Sequence, residues 1–175
     1  MKKYLAWILA LILFAAIHEG MHALLATACG EYEAFHIRPY GLEVTYKTPV
    51  EERQGVEWGF IAGSSNIVTL LLGYLLLPFK SWFAQHPKAF VRQLAFYSIT
   101  FFLLLDPINL SIIPFIFGGD IQGIVVGFGV PQFVVQIVGF VVFLFNRELL
   151  VREVLPAFSV KTSHFLLRPW IMGKI

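Results

Sequence analysis

The stretch AIHEGMH at residues 16–22 lies inside an almost unbroken apolar run that extends over residues 4–28. An apolar run of this length is sufficient, as a helix, to cross the ~30 Å hydrocarbon core of a bilayer. Apart from the tyrosine at its start, the ionisable side chains of the run are His18, Glu19 and His22. Ionisable side chains at membrane depth are costly, so such residues are candidate functional residues. The run therefore predicts a membrane-spanning helix that carries a functional site.

The spacing of the two histidines is that of a metal site on a helix. His18 and His22 are four residues apart, which places both imidazoles on one helix face, one turn apart. In an HExxH sequence the histidine pair binds Zn²⁺ and the glutamate acts as general base. We therefore predict His18 and His22 as ligands of one zinc ion per chain and Glu19 as the base. A cleaved signal peptide is the alternative, but apolar signal regions do not normally hold two histidines and a glutamate.

The composition excludes a soluble domain. The chain has 175 residues, of which 58% are hydrophobic and 14% are charged, and its mean hydropathy is +0.75. Soluble domains carry roughly 25% charged residues. The net charge of +2 is too small to suggest nucleic acid as a partner. With one cysteine there is no intramolecular disulfide. We expect a single membrane-embedded domain over residues 1–175, with the lipid bilayer of a cell membrane as its surroundings.

Apolar runs and turn residues predict an all-α polytopic fold with about four transmembrane helices. The expected spans are residues 4–28, 59–79, 89–105 and 121–145, followed by an interfacial tail over residues 146–175. The polar insertion at residues 30–58 contains six glutamates. Within it, residues 35–38 and 42–46 alternate in polarity around Pro39-Tyr40-Gly41, which predicts a small β-hairpin or loop after the first helix.

The end of the third span is predicted to be broken. Pro107, Pro114 and the glycine pair at 118–119 disfavour a continuous helix. Broken backbone at membrane depth is tolerated where protein or a wet cavity surrounds it, so this segment is a candidate wall of the site. It supplies two carboxylates, Asp106 and Asp120.

A catalytic zinc takes three protein ligands, so one of these carboxylates is expected to complete the site. Asp106 also fits a helix-ending Asp-Pro turn, and Asp120 also fits a helix N-cap after the glycines. We favour Asp120 as the third ligand and keep Asp106 as the alternative.

Two further polar residues are candidates. Asn66 lies in the stretch AGSSN at 62–66, within the second span. Such small residues are typical of close helix packing, but Asn66 is also a candidate donor to an oxyanion or to a substrate backbone. His36 in the insertion is a candidate ligand, although a lone loop histidine is usually solvated.

Positive charge indicates the orientation. Lysine and arginine are concentrated at the N-terminus, in the connection 80–92 and in the tail, which favours both termini in the cytoplasm. His18 lies about 20 Å along its helix at ~1.5 Å per residue, and this places the site in the far half of the bilayer. Asp120 is predicted on the same side, so the histidine pair and Asp120 are expected at the same depth in the membrane.

Three motifs, in order, resemble those of the site-2 protease family of intramembrane zinc metalloproteases. The first is the HExxH helix at residues 18–22. The second is Gly63-Ser64-Ser65-Asn66, which corresponds to the family's Gly-Pro-x-x-Asn. The third is Asn109-Leu110…Pro114…Asp120, which corresponds to the family's Asn-Leu-x-Pro…Asp-Gly. The resemblance covers residues of about 15–125, without a PDZ-like or CBS-like module. It implies zinc ligands at His18, His22 and Asp120, a base at Glu19 and a substrate or oxyanion partner at Asn66.

The chain also departs from the family's pattern. Ser64 replaces a proline, the Asn109–Asp120 spacing is longer than usual, and Ile121 stands where glycine is expected. Family members usually hold zinc nearer the cytoplasm, whereas the charge distribution here favours the opposite face, so the sidedness stays open.

Two functions follow as hypotheses. The first is a zinc endopeptidase that cleaves peptide bonds within or next to transmembrane segments of a membrane protein or peptide. The alternative is a non-catalytic membrane metal-binding scaffold or a small transporter subunit, because intramembrane histidine and aspartate also build ion pathways. Glu19 discriminates between them, because a transport site does not need a carboxylate directly after the first histidine.

Overall fold

A computed structural model describes residues 2–39 and 41–171. Tyr40 of the predicted turn and the last four residues of the predicted tail lie outside these ranges. The elements, in chain order, are α1 (Lys2–Ala28), β1 (Tyr32–Arg38), β2 (Gly41–Tyr46), α2 (Val56–Leu76), α3 (Lys80–Ala84), α4 (Ala89–Ser111), α5 (Asp120–Phe128), α6 (Gln132–Leu149), a π-helical segment (Leu150–Val154) and a single turn, α7 (Leu155–Ala157).

Four helical stretches are long and apolar enough to cross a membrane: Tyr4–Ala28, Val56–Ala84, Ala89–Phe115 and Gln132–Ala157. Lipid-facing side chains such as Leu75 and Val141 are more than half exposed, as expected where hydrocarbon rather than protein covers them. The predicted fold class is confirmed: a multi-pass helical membrane protein with a two-stranded sheet after the first helix and a bent helix later in the chain.

Helix α4 is the centre of the bundle and packs against α1, α2 and α6. Trp7 and Phe14 of α1 contact Phe101 and Phe102 of α4 at ring centroid distances of 5.8 and 5.9 Å. Helix α2 lies between α1 and α4 in the chain and packs against both of them. The start of α3 and the π-helical segment are joined by an ion pair of 3.1 Å between Lys80 and Glu153.

The predicted hairpin is also confirmed. Strands β1 and β2 are antiparallel, with Phe35 opposite Val44 and Ile37 opposite Leu42. Tyr32 and Tyr46 pack against a small cluster that joins the end of α1 to the start of α2: Ala26, Trp58 and Ile61. The sheet therefore covers the end of the bundle that contains the HExxH turn.

The predicted break is present but begins later than residue 105, because α4 continues through Pro107 to Ser111. A proline inside a helix leaves the carbonyl four residues earlier without its N–H donor. Here that carbonyl belongs to Leu103, and Asn146 Nδ2 of α6 donates to it at 2.8 Å. A side chain from another helix replaces the lost backbone bond, and this satisfies the carbonyl at membrane depth. The backbone breaks later, between Ile112 and Gly119.

The predicted fourth span and tail also differ from the structure. Residues 121–145 do not form one helix, because Gly129, in a left-handed conformation, and Pro131 separate α5 from α6. The candidate span instead extends to Ala157. Arg147 and Glu148, expected in an interfacial tail, are buried. They pair at 2.6 Å, and such pairing is what permits charges to be buried.

Helix α5 approaches α2 through glycines, and this contact brings Asp120 to α2. A Cβ atom added at Gly127 would lie 2.0 Å from the backbone nitrogen of Gly59, and one added at Gly123 would lie 2.5 Å from Ala62 Cβ. Small residues at four-residue spacing allow helix backbones to approach this closely in membranes.

Replacing Asn146 with alanine is expected to lower the free energy of unfolding by about 1–3 kcal/mol, because Leu103 O is left without a donor. In a Pro107→Ala background the loss should be smaller, since the substituted alanine restores the backbone N–H. Unfolding in mixed micelles measures the free energy of unfolding in both backgrounds. Asn146 also accepts a hydrogen bond of 2.6 Å from the Tyr74 hydroxyl, so Tyr74→Phe is the control for the loss of that second bond. Equal losses in the two backgrounds would contradict this account of α4.

Gly127→Ala is expected to cost about 1–3 kcal/mol, because its Cβ would overlap the backbone of α2. Gly63→Ala is the matched control on the facing helix, since its Cβ would lie 3.7 Å from Ile124, at ordinary contact distance. Thermal unfolding of the two variants in detergent compares them. A similar loss at both positions would show that the close approach is not the cause.

Candidate metal centre

Three side chains from two distant parts of the chain converge at one point. His18 and His22 of α1 are 7% and 3% exposed, and their Nε2 atoms lie 3.2 Å apart. Asp120, the first residue of α5, places Oδ2 at 3.1 Å from His18 Nε2 and Oδ1 at 3.2 Å from His22 Nε2. The two histidines are the predicted pair, and Asp120 is the favoured third residue of the sequence analysis.

The spacing of these atoms fits a bound cation. In a tetrahedral site with metal–ligand bonds of about 2.0–2.1 Å, neighbouring donor atoms are roughly 3.3 Å apart. The distances between His18, His22 and Asp120 are 3.1–3.2 Å. Imidazole nitrogens and a carboxylate oxygen all present lone pairs, so a cation at their centre would relieve their mutual repulsion. This group could hold a metal ion, and three protein donors leave a position for water or substrate.

Both histidines are oriented through their second ring nitrogen. His22 Nδ1 donates to the carbonyl oxygen of Ile61 at 2.7 Å. His18 Nδ1 lies 3.0 Å from Asp106 Oδ1, in a contact that is bent away from ideal hydrogen-bond geometry. A carbonyl or carboxylate beside Nδ1 favours the proton on that nitrogen and leaves the Nε2 lone pair for a metal.

Asp106, the alternative third ligand, therefore lies on the far side of His18. It is 2% exposed, and its Oδ2 accepts a hydrogen bond from the Thr69 hydroxyl. Thr69 was not among the sequence candidates. It follows Asn66 by three residues and Ser65 by four, which is the helical spacing of one polar face of α2, and this signal would have found it.

Two asparagines hold the Asp120 carboxylate. Asn66 Nδ2 and Asn109 Nδ2 each donate to Asp120 Oδ2 at 3.0 Å. Asn66 Nδ2 also contacts the carbonyl of Ala62 at 3.0 Å, so its amide protons are used inside the protein. In this structure the Asn66 amide thus contacts the Asp120 carboxylate, and its role as a donor to an oxyanion or a substrate backbone stays a prediction. The motif at residues 109–120 includes Asn109, but its contact with Asp120 depends on the fold.

Glu19 borders a cavity of about 540 Å³ that also reaches His22 and Asp120. Its Oε2 accepts a hydrogen bond from the backbone N–H of Val44 at 3.2 Å, which ties the carboxylate to β2. The exposed side chain of Val50 lies on the rim, so the cavity is open to the outside. A carboxylate beside a metal group and at an open cavity is suitable for moving a proton.

The hairpin side of the cavity is aromatic. Tyr46 and Trp58 meet edge to face at a centroid distance of 5.5 Å. Burial raises the pKa of Tyr46, and the nearby carboxylates of Asp120 and Glu19 raise it further, so the phenol stays protonated. His36, the remaining histidine candidate, contacts the Thr45 hydroxyl at 3.2 Å and is not part of the metal group found among the described residues.

Asp106→Asn is expected to weaken metal binding by about 10–100-fold, because the amide no longer fixes the orientation and tautomer of His18. Ser98→Ala, a buried substitution on the same helix, is the matched control and should leave the affinity unchanged. Competition against a chelator measures the dissociation constants, and circular dichroism monitors the fold. An Asp106→Asn protein with wild-type affinity would remove Asp106 from the site.

Comparison with known proteins adds no relative. No protein-family model, curated protein or solved structure matches the chain. The resemblance to the site-2 protease family thus rests on three short motifs, and a functional argument has to start from the side chains themselves. Among the described residues, the polar side chains in or directly beside the metal group include His18, Glu19, His22, Ser65, Asn66, Asp106, Asn109 and Asp120.

Proposed function

We propose that this protein is an intramembrane zinc endopeptidase of the cell membrane that hydrolyses peptide bonds within or next to transmembrane segments. One observation carries the proposal: two histidines and an aspartate converge inside the bundle, with a glutamate directly beside them at an open cavity. The motif resemblance to the site-2 protease family supports the same conclusion.

The donor set favours zinc with one ion per chain. Zinc is bound by imidazole nitrogens and carboxylate oxygens, and its catalytic sites combine three protein ligands with an open position. Magnesium and calcium prefer sites made of oxygen alone. When bound, zinc would supply a Lewis acid that polarises the scissile carbonyl and lowers the pKa of water toward ~7.

The residues of the chain have separate tasks in this reaction. His18, His22 and Asp120 would hold the ion, and Asp106, Asn66 and Asn109 orient them. Glu19 would accept a proton from the attacking water and deliver it to the leaving amine, which is the task of a general base and acid. Its position relative to the surface hairpin is set by the bond to Val44.

The substrate class follows from the location of the site. A transmembrane helix hides its backbone in internal hydrogen bonds, so it must unwind locally before it is cleaved. The Val44 N–H points to Glu19 and away from β1, and thus the outer edge of β2 borders the cavity. An unwound peptide can pair with such an edge as an additional strand.

The alternative of a transporter subunit receives less support. Transport needs a polar path to both faces of the membrane. Polar side chains do continue from the metal group into the bundle, at Asp106 and Thr69. The alternative is instead disfavoured by Glu19, a carboxylate that a transport site does not need and that lies beside the metal group at the open cavity.

Glu19→Gln is expected to reduce cleavage of a helical reporter by at least about 100-fold, because the amide cannot accept the proton. Zinc content should stay near one per chain, whereas Asp120→Ala should lose both zinc and cleavage. Glu52→Gln, an exposed glutamate outside the cavity, is the control. The assay uses purified protein in vesicles, with metal analysis of each variant.

Two results would contradict the proposal. Wild-type cleavage by Glu19→Gln would exclude this residue as the base. A correctly folded wild-type protein that retains no zinc would exclude zinc-dependent catalysis.

A further inference from the structure

The cavity beside the metal group has an uneven distribution of charge. Its walls carry four carboxylates, those of Glu19, Glu33, Glu43 and Asp120. Among the described residues that line it, Arg53 has the one permanent positive charge. Arg53 follows the hairpin, just before α2, and none of the motifs includes it.

The guanidinium of Arg53 is held in place by three neighbours. Its central carbon lies 4.5 Å from the centre of the Trp58 ring and 4.8 Å from that of Tyr46. Its Nε donates to the carbonyl oxygen of Thr48 at 3.2 Å. Trp58 is buried, so the arginine rests on a fixed aromatic wall. A guanidinium on aromatic rings keeps its orientation at low entropic cost.

The outer end of this side chain is not used within the described part of the protein. Arg53 forms no ion pair of 4.0 Å or less there, and its hydrogen bond comes from Nε alone. Glu31 and Glu51 are close enough to influence its charge but make no ion pair with it among the described residues. The two terminal nitrogens therefore keep their N–H groups for a ligand, and a planar fork of this kind matches a carboxylate.

We infer that Arg53 is a specificity-determining residue that binds a carboxylate of the substrate peptide in the same cavity as Glu19 and Asp120. This inference rests on the proposed function. A peptide is favoured over a lipid headgroup because the ligand of Arg53 shares its cavity with the metal group. The carboxylate can belong to an aspartate or glutamate side chain or to a free C-terminus.

The strand β2 indicates where this carboxylate lies along the substrate. Glu19 contacts Val44, and Arg53 packs on Tyr46, two residues further along the strand. Two residues of extended chain span roughly 6.6–6.8 Å. A peptide that runs along β2 would thus bring a carboxylate to Arg53 when it lies about two or three residues from the scissile bond.

The experiment measures both binding and cleavage for matched reporter peptides. The reporters carry glutamate, glutamine or lysine two or three residues from the cleavage site, and a second pair ends in a free or an amidated C-terminus at that distance. Binding is measured by fluorescence anisotropy to the Glu19→Gln protein loaded with zinc, so this arm does not depend on cleavage. Cleavage is measured as kcat/KM with wild-type Glu19.

We expect the acidic reporter to bind about tenfold more tightly than the neutral one, and Arg53→Gln to reduce this ratio to about one. Arg53→Glu should reverse the preference toward the lysine reporter, which a loss of structure alone would not do. Lys47→Gln removes a nearby positive charge outside the cavity and should keep the ratio. Zinc content is determined for each variant.

Three outcomes would overturn the inference: equal binding of acidic and neutral reporters, a ratio that survives Arg53→Gln, or a dependence on anionic lipid in the vesicles and not on the reporter. The last outcome would assign Arg53 to a lipid phosphate. If the binding preference is present and no reporter is cleaved, the proposed protease function fails while the carboxylate site stands.

Discussion

Two imidazole nitrogens and a carboxylate lie within 3.2 Å of one another inside a bundle whose outer face meets hydrocarbon. Such a group is costly at this depth, because protein covers most of the Asp120 side chain, which is 16% exposed, and little solvent can screen its charge. The surrounding helices offset this cost with hydrogen bonds. Helix α2 contributes the carbonyl of Ile61, which contacts His22, and the amide of Asn66, which contacts Asp120. Helix α4 contributes the carboxylate of Asp106, which contacts His18, and the amide of Asn109, which contacts Asp120.

The same constraint explains the shape of the chain around the site. Asp120 reaches the histidines only because the backbone turns at Gly119, which has φ of 100°, and because α5 then lies against α2 at a distance that glycines alone allow. The segment before this turn lies on the outside of the bundle, where Phe115, Ile116 and Phe117 are at least 67% exposed. The chain turns inward at its end, where the amides of Asn66 and Asn109 hold the Asp120 carboxylate.

A feature was predictable from the sequence when the residues that determine it are close together in the chain. The facing histidines and the hairpin follow from short-range spacing and alternation, and both were predictable. The course of α4 past Pro107 was not, because the carbonyl of Leu103 is satisfied by Asn146, 43 residues away. The choice between Asp106 and Asp120 was open for a similar reason: both lie close to His18, one at each ring nitrogen, and only the packing of α5 distinguishes them.

The bond from Val44 to Glu19 couples the surface hairpin to the interior of the membrane. In the described structure the N–H of Val44 is used by Oε2 of Glu19, on the edge of β2 that borders the cavity. A peptide that paired with β2 at this position would need the same N–H, and one proton cannot serve both acceptors well. An extended peptide on this edge would thus compete with Glu19 for the Val44 N–H, the hydrogen bond that links the hairpin to the residue beside the metal group.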